Sequence, residues 1–235
     1  MKWIAGYAAS VCILLIIVAQ SIFIPTFHMV SFFSWHYERY NVPETIGIDK
    51  EELMYVTAQL LDYMRGRRDD LVVYATVNGE LQTFFSDRDI RHMEDVLELY
   101  NTAFLVRNIA FWLLLFLIFG MMLFKAPVLE VLARCSREVL VTFILLLGVL
   151  AGVIALDWDQ AFIIFHEIFF DNDYWILTPG ADPLIDMVNH PFFLNISIIT
   201  GSLLVLFSAI IIISGTLYLR SVRPWGDTQT VARFR

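Results

Sequence analysis

The chain has 235 residues, 58% of them hydrophobic and only 17% charged, with a mean hydropathy of +0.67. That is too apolar for a water-soluble domain of this length, so the sequence reads as an integral membrane protein. A net charge of −8 without a basic stripe excludes a nucleic-acid partner.

In chain order, the first apolar run, residues 3–24, follows Lys2 and is too long for a cleaved signal peptide, so it is read as a retained signal anchor. Cys12 after Ala9-Ser10-Val11 faintly resembles a lipoprotein cleavage box, but Val11 stands where a small residue belongs. Residues 25–103 read as a folded cap. Asp49 and Glu52 look like a capping box, and Leu53, Val56, Leu60, Leu61 and Met64 then form one apolar stripe of a helix ending near Gly66. Leu71 to Val77 and Leu81 to Phe85 flank Asn78-Gly79, the preferred pair for a two-residue hairpin turn. Ser86 with Asp89 caps a further helix carrying Ile90, Met93, Val96, Leu97 and Tyr100.

The second span is 104–124, followed by a turn at 125–138, a third span at 139–156, an aromatic loop at 157–193, a fourth span at 194–219 and a tail at 220–235. Each apolar run is long enough, as a helix, to cross a core of about 30 Å. The expected fold is an all-α membrane protein: four transmembrane helices, with a small extracytoplasmic α+β cap between the first two. Lys2, Lys125, Arg134, Arg137, Arg220, Arg223, Arg233 and Arg235 cluster at the span ends of one face, which marks it as cytoplasmic. Residues 157–193 carry seven acidic residues and no Lys or Arg, which places them outside and both termini inside. Cys12 lies in a span and Cys135 in the cytoplasmic turn, so no disulfide is expected. The cap is too small to be comfortably stable alone and is expected to pack against the membrane surface and the other outer segment.

Phe165-His166-Glu167-Ile168-Phe169-Phe170-Asp171-Asn172-Asp173-Tyr174-Trp175 alternates aromatic rings with groups that take or give a proton. All five histidines lie in the outer segments. A histidine in such a loop is more often structural than catalytic, and that reading is kept for His28, His36 and His190. His92 has Arg88 and Asp95 at i−4 and i+3, where a carboxylate can fix its tautomer. His166 lies among rings, where burial favours the neutral imidazole that acts as a base. A zincin helix fails because its second histidine would fall on Phe170. Phosphate loops, Gly-x-Ser-x-Gly elbows and Cys-x-x-Cys pairs are absent from the sequence. The acidic pairs Asp171/Asp173 and Asp182/Asp186 are read as caps and solvated loop positions. A metal site built from scattered His, Asp and Glu stays open.

Arg91-His92-Met93-Glu94-Asp95-Val96, the aromatic stretch continued through Ile176-Leu177-Thr178-Pro179, and Asp182-Pro183-Leu184-Ile185 together resemble the lipoprotein intramolecular transacylase family of Gram-positive bacteria. The layout of spans, cap and aromatic loop fits that family from end to end. The strings His-Met-x-Asp-Val and Phe-His-x-x-Phe-Phe-x-Asn-x-x-Trp are fairly specific in combination; four spans alone are not. The resemblance implies O-to-N transfer of the sn-2 acyl chain of a diacylglyceryl-cysteine lipoprotein to its own α-amino group, at the outer leaflet of a bacterial cell membrane. By motif, His92 and His166 are the catalytic pair, with base and acid unassigned between them. Phe165, Phe169, Phe170, Tyr174 and Trp175 would confine the acyl and glyceryl groups, and Asn172 and Asp95 complete the substrate-binding candidates. No cofactor and no metal are implied. The partners are diacylated lipoproteins and membrane lipid, and a monomer is the expected unit. Two other classes stay open: a metal- or haem-binding membrane enzyme using the outer histidines, and a non-catalytic scaffold or transporter accessory.

If the helix from Ser86 ran straight into the second span, His92 would stand about 18 Å above Phe104 at 1.5 Å per residue, and the two histidines could fail to meet. A break or tilt between Tyr100 and Arg107 is therefore expected, laying the amphipathic helix along the membrane surface.

Overall fold

A computed structural model describes residues 1–222; the tail residues Arg223, Arg233 and Arg235, used above for orientation, lie outside the described residues. The elements in chain order are α1 (Lys2–His28), α2 (Val30–Tyr40), α3 (Val42–Ile46), α4 (Lys50–Met64), β1 (Tyr74–Val77), β2 (Glu80–Thr83), α5 (Asp87–Leu123), α6 (Val128–Leu156), α7 (Trp158–Phe169), α8 (Pro183–Met187) and α9 (His190–Ser221). Helices α1, α5, α6 and α9 are long and apolar enough to cross a bilayer. Each covers one predicted span and extends beyond it at one end or both, except that α5 stops one residue short of the predicted end at Phe124.

Three features differ from the sequence reading. Helix α5 is unbroken from Asp87 to Leu123, so the expected break between Tyr100 and Arg107 does not occur. No Pro interrupts it, and its single Gly, Gly120, lies in the last turn, so nothing in the sequence kinks it. The turn after it shrinks to residues 124–127, because 128–138 are the first turns of α6. Residues 157–193, read as a loop, contain the helices α7 and α8.

The chain forms two compact units. One comprises Met1–Val18, Val106–Val153 and the segment from Leu203 on. Here α1 and α6 approach closely at a small residue: a Cβ on Gly6 would lie 2.4 Å from Val131 Cγ1 and 2.9 Å from Cys135 Sγ. Ser10 Oγ lies 3.1 Å from Ser136 Oγ beside that contact, the packing expected where lipid offers no hydrophobic drive between helices. Cys12 and Cys135 are buried free thiols. Trp112, Phe116, Phe119, Leu145, Leu146 and Val149 stand exposed, a surface suited to hydrocarbon rather than water.

The other unit comprises Ala19–Leu105 and Ile154–Ser202, so the two outer segments share one body. Its core joins the predicted stripe of α4 to Phe23 and Phe27 of α1, Phe84 and Phe85, Met93 of α5, and Leu184, Met187 and Phe192 from the second segment. The small cap thus gains the apolar burial it lacks alone. The hairpin pairs Tyr74 with Thr83 and Val77 with Glu80. Asn78 and Gly79 have φ of +53° and +83°, the two positive values a tight hairpin turn needs. That turn sits on Gly47: Asn78 N–H donates to its carbonyl at 2.7 Å, and a Cβ there would lie 2.1 Å from Asn78 Oδ1. Asp49 occupies the N-cap position of α4 without a side-chain bond; Glu52 instead accepts from Thr76 N–H at 2.8 Å, fastening β1 to α4. The Ser86–Asp89 cap closes as predicted: Ser86 Oγ accepts from Asp89 N–H at 3.0 Å and Asp89 Oδ2 from Ser86 N–H at 3.1 Å.

Candidate active site

His92 is the sixth residue of α5 and His166 the ninth of α7. Their ring centroids lie 6.0 Å apart. They meet without a bend in α5, because α7 supplies a second helix rather than a loop to carry its histidine. The start of α7 is set by Asp157, whose carboxylate accepts from Gln160 N–H at 3.0 Å.

Both rings are buried, with 8% of His92 and 6% of His166 exposed. Burial pushes the His92 imidazole down to about 4; proximity to His166 adds to the depression and Asp95 opposes it. Burial also lowers His166, against the Phe162 carbonyl. Both are therefore neutral near pH 7. His166 Nδ1 lies 2.7 Å from the Phe162 carbonyl oxygen, which can only accept, so Nδ1 carries the hydrogen and Nε2 the free lone pair. His92 Nδ1 is buried and has no hydrogen-bond partner among the described residues. This leaves a neutral imidazole with polar capacity unspent beside one with a fixed tautomer.

The surrounding rings sort into two groups. Phe162 at 4.1 Å, Trp175 stacked at 4.8 Å and Phe170 at 5.7 Å enclose His166, and Phe170 also meets His92 edge-on at 5.3 Å. Phe165 touches His166 at 5.3 Å, but about half of it is exposed, and Phe169 pairs with Phe165 rather than with either histidine. Tyr174 stands under the Arg91 guanidinium at 5.5 Å. Sequence reasoning missed Phe162. The signal was its i−4 spacing from His166, visible only once residues 158–169 are read as a helix.

Polar ties fasten the second outer segment to the start of α5. Asn172 Nδ2 donates to Asp95 Oδ2 at 2.9 Å, one turn beyond His92, and Asn172 Oδ1 accepts from Tyr174 N–H at 3.0 Å. Arg88 donates to the carbonyl of Asp173. Ser86 Oγ donates to Asp182 Oδ1 at 2.7 Å, while Asp182 Oδ2 accepts from Thr178 N–H at 2.8 Å. Asp89 is fully buried and its acid is raised to about 6, chiefly by that burial. Asp95 and Asn172 thus bind each other, and the acidic pair Asp182/Asp186 serves the loop: Asp186 accepts from Gly180 N–H at 2.8 Å.

The other histidines stand apart. His28 is exposed at the end of α1, His36 is enclosed by Tyr40 and Phe192, and His190 lies 3.7 Å from Asp159. Among the described residues no group of three or more His, Cys, Asp or Glu is placed to hold a metal ion.

Comparison with known proteins gives one family. The family model "Lipoprotein intramolecular transacylase Lit" matches residues 7–193. An uncharacterized protein from Aquifex aeolicus (strain VF5) is 25% identical over 189 residues, covering 79% of this chain and 82% of its own. Among solved structures, the in meso structure of the membrane integral lipoprotein intramolecular transacylase Lit from Bacillus cereus matches with a TM-score of 0.76 at 19% identity, over 94% of this chain and 96% of that one. A form of the same protein with one histidine replaced by alanine gives 0.72 at 18%, over 94% of each chain.

Proposed function

Because the chain belongs to the lipoprotein intramolecular transacylase family of acyltransferases, we propose that it moves the sn-2 acyl chain of a diacylglyceryl-cysteine lipoprotein to that lipoprotein's own α-amino group, leaving a lyso-form. The observation that carries this reading is the pair of buried imidazoles 6.0 Å apart within a wall of aromatic rings.

The amine nitrogen attacks the ester carbonyl carbon, the new C–N bond forms, and the bond to the glyceryl sn-2 oxygen breaks. The nitrogen loses one proton and the glyceryl oxygen gains one, so no water, cofactor or net proton is consumed. Amine and ester belong to one molecule, and folding them together supplies an effective-molarity gain that positioning alone can deliver. His166 Nε2, with its lone pair free, takes the proton from nitrogen and returns it to the leaving oxygen. His92, held neutral by burial, offers an N–H to the tetrahedral oxyanion, a role that needs a donor but no charge. Phe162, Phe170 and Trp175 exclude water and hold the glyceryl and acyl groups. Phe165 and Phe169, half exposed, suit the path of the acyl chain toward lipid. Asn172 fixes Asp95, whose charge partly offsets the effect of burial on His92.

The same reading puts the site at the outer leaflet and both termini in the cytoplasm, from Lys2, Lys125, Arg134 and Arg137 on one side and the uncharged-or-acidic 157–193 segment on the other. One chain carries both imidazoles, so a monomer suffices. The test expresses the wild type, His92→Ala and His166→Ala with a diacylated reporter lipoprotein and maps acyl chains on its N-terminal peptide by mass spectrometry. The wild type should yield N-acyl, lyso-glyceryl peptide and both variants the unconverted form; a wild type that leaves both chains on glycerol refutes the proposal.

A further inference from the structure

Beside the paired imidazoles lies a cavity of about 830 Å³, within the range of small-molecule sites. Neither imidazole lines it, but its wall shares Phe170, Asn172 and Trp175 with the candidate active site, so an occupant of the cavity lies one side chain away from the imidazoles. Phe162, Ile163, Leu177 and Phe193 give it an apolar lining. Asp159, Glu167, Asp171 and Asp173 also line it, and no Lys or Arg does. Arg88 reaches the carbonyl of Asp173 and offsets that end, and His190 stands beside Asp159. Glu167 and Asp171 have no cation within salt-bridge reach among the described residues, and between Arg137 and Arg220 the chain holds no Lys or Arg at all.

A neutral diacylglyceryl group has no use for these carboxylates. The peptide that follows the lipidated cysteine does, because its side chains must lie beside the reacting amine whenever the ester reaches the imidazoles. We propose that the cavity seats the first residues after the lipidated cysteine, and that Asp159, Glu167 and Asp171 make the enzyme prefer neutral or cationic side chains there over acidic ones. The proposal rests on the transacylase reading above. The apolar lining takes the peptide's uncharged surface, and the acidic rim acts mainly by repulsion, which discriminates partners even where attraction adds little affinity.

The test uses the full chain in phosphatidylcholine vesicles with three reporter lipopeptides identical except for the two residues after the cysteine: Ser-Ser, Lys-Lys and Glu-Glu. Initial rates of lyso-form production are read by mass spectrometry. Several solvent-exposed charge pairs acting together at low salt predict that Lys-Lys is converted about tenfold faster than Glu-Glu. That ratio should fall toward one in the Asp159→Asn, Glu167→Gln, Asp171→Asn triple variant. It should also narrow in the wild type as salt rises from about 0.02 M to about 0.5 M, a series that decides the matter if the triple variant is unstable. Equal rates for Lys-Lys and Glu-Glu, or a ratio that survives either manipulation, overturn the cavity's role while conversion of Ser-Ser keeps the transacylase reading. Failure to convert Ser-Ser overturns both.

Discussion

In the proposed reaction two neutral imidazoles are the chemical centre, and burial is what makes them neutral. Desolvation disfavours the imidazolium at both rings, and His166 adds to the reluctance of His92 to charge. The folded value of His92 lies below its unfolded one, so the fold loses stability as pH falls from about 6.5 through about 4. Because neither histidine charges above pH 6.5, the pH–rate profile should show no inflection there. It should rise instead with deprotonation of the substrate amine, near pH 8. A profile with its main limb at pH 6.5 would mean that a histidine, not the amine, changes charge. The Asn172–Asp95 bond orders the residue one turn beyond His92. Asn172→Ala should lower the maximal rate about tenfold with little change in apparent KM, and Asn172→Asp should lower it further by setting two carboxylates together. A change confined to KM would assign Asn172 to substrate contact.

At the scale of elements, the site depends on how firmly the second outer segment is held to the start of α5. The Ser86–Asp89–Asp182 cluster ties that segment three residues before His92, with one Asp89 oxygen accepting from Ser86 N–H and Leu184 N–H and the other without a partner among the described residues. Asp89 has its acid raised to about 6, so its ionisation costs the folded state stability: the contribution is full below its unfolded value and is lost as pH rises through about 6. Asp89→Asn keeps the accepting oxygen and removes the charge. Thermal unfolding should show the variant more stable than wild type at pH 7.5, on the order of 2 kcal/mol, with the gap closing below pH 4; a destabilised variant at pH 7.5 would mean the charge itself is needed. The Ser86–Asp89 cap, the α4 stripe and the Asn78-Gly79 turn were legible because each is a local pattern with its own stereochemistry. Helix α7 was not read from its rings, which face both the core and the outside, although Asp159, His166 and Glu167 recur at helical spacing and Asp157 and Gln160 at cap spacing marked its start. The expected break in α5 was an inference from the need to bring two histidines together. The chain met that need by a second helix, and the unbroken run free of Pro already argued against a kink.

For the whole molecule, the layout of spans followed from composition, and the candidate pair from motif resemblance; their proximity depended on long-range packing that no local pattern encodes. Cysteines placed at exposed Ala181 and Arg137 test the orientation, because the native thiols are buried. A membrane-impermeant maleimide should label Ala181→Cys in intact cells and Arg137→Cys only after lysis; the reverse pattern would invert the topology. The central claim is that two residues 74 positions apart work as one site. Initial rates of reporter conversion by the wild type, His92→Ala, His166→Ala and the double variant test it most directly. Each single substitution should cost about 10²- to 10⁴-fold, and the double should cost no more than the worse single, because groups acting as a unit are lost together. Losses that multiply in the double variant, or a single variant that keeps the wild-type rate, would contradict a shared site.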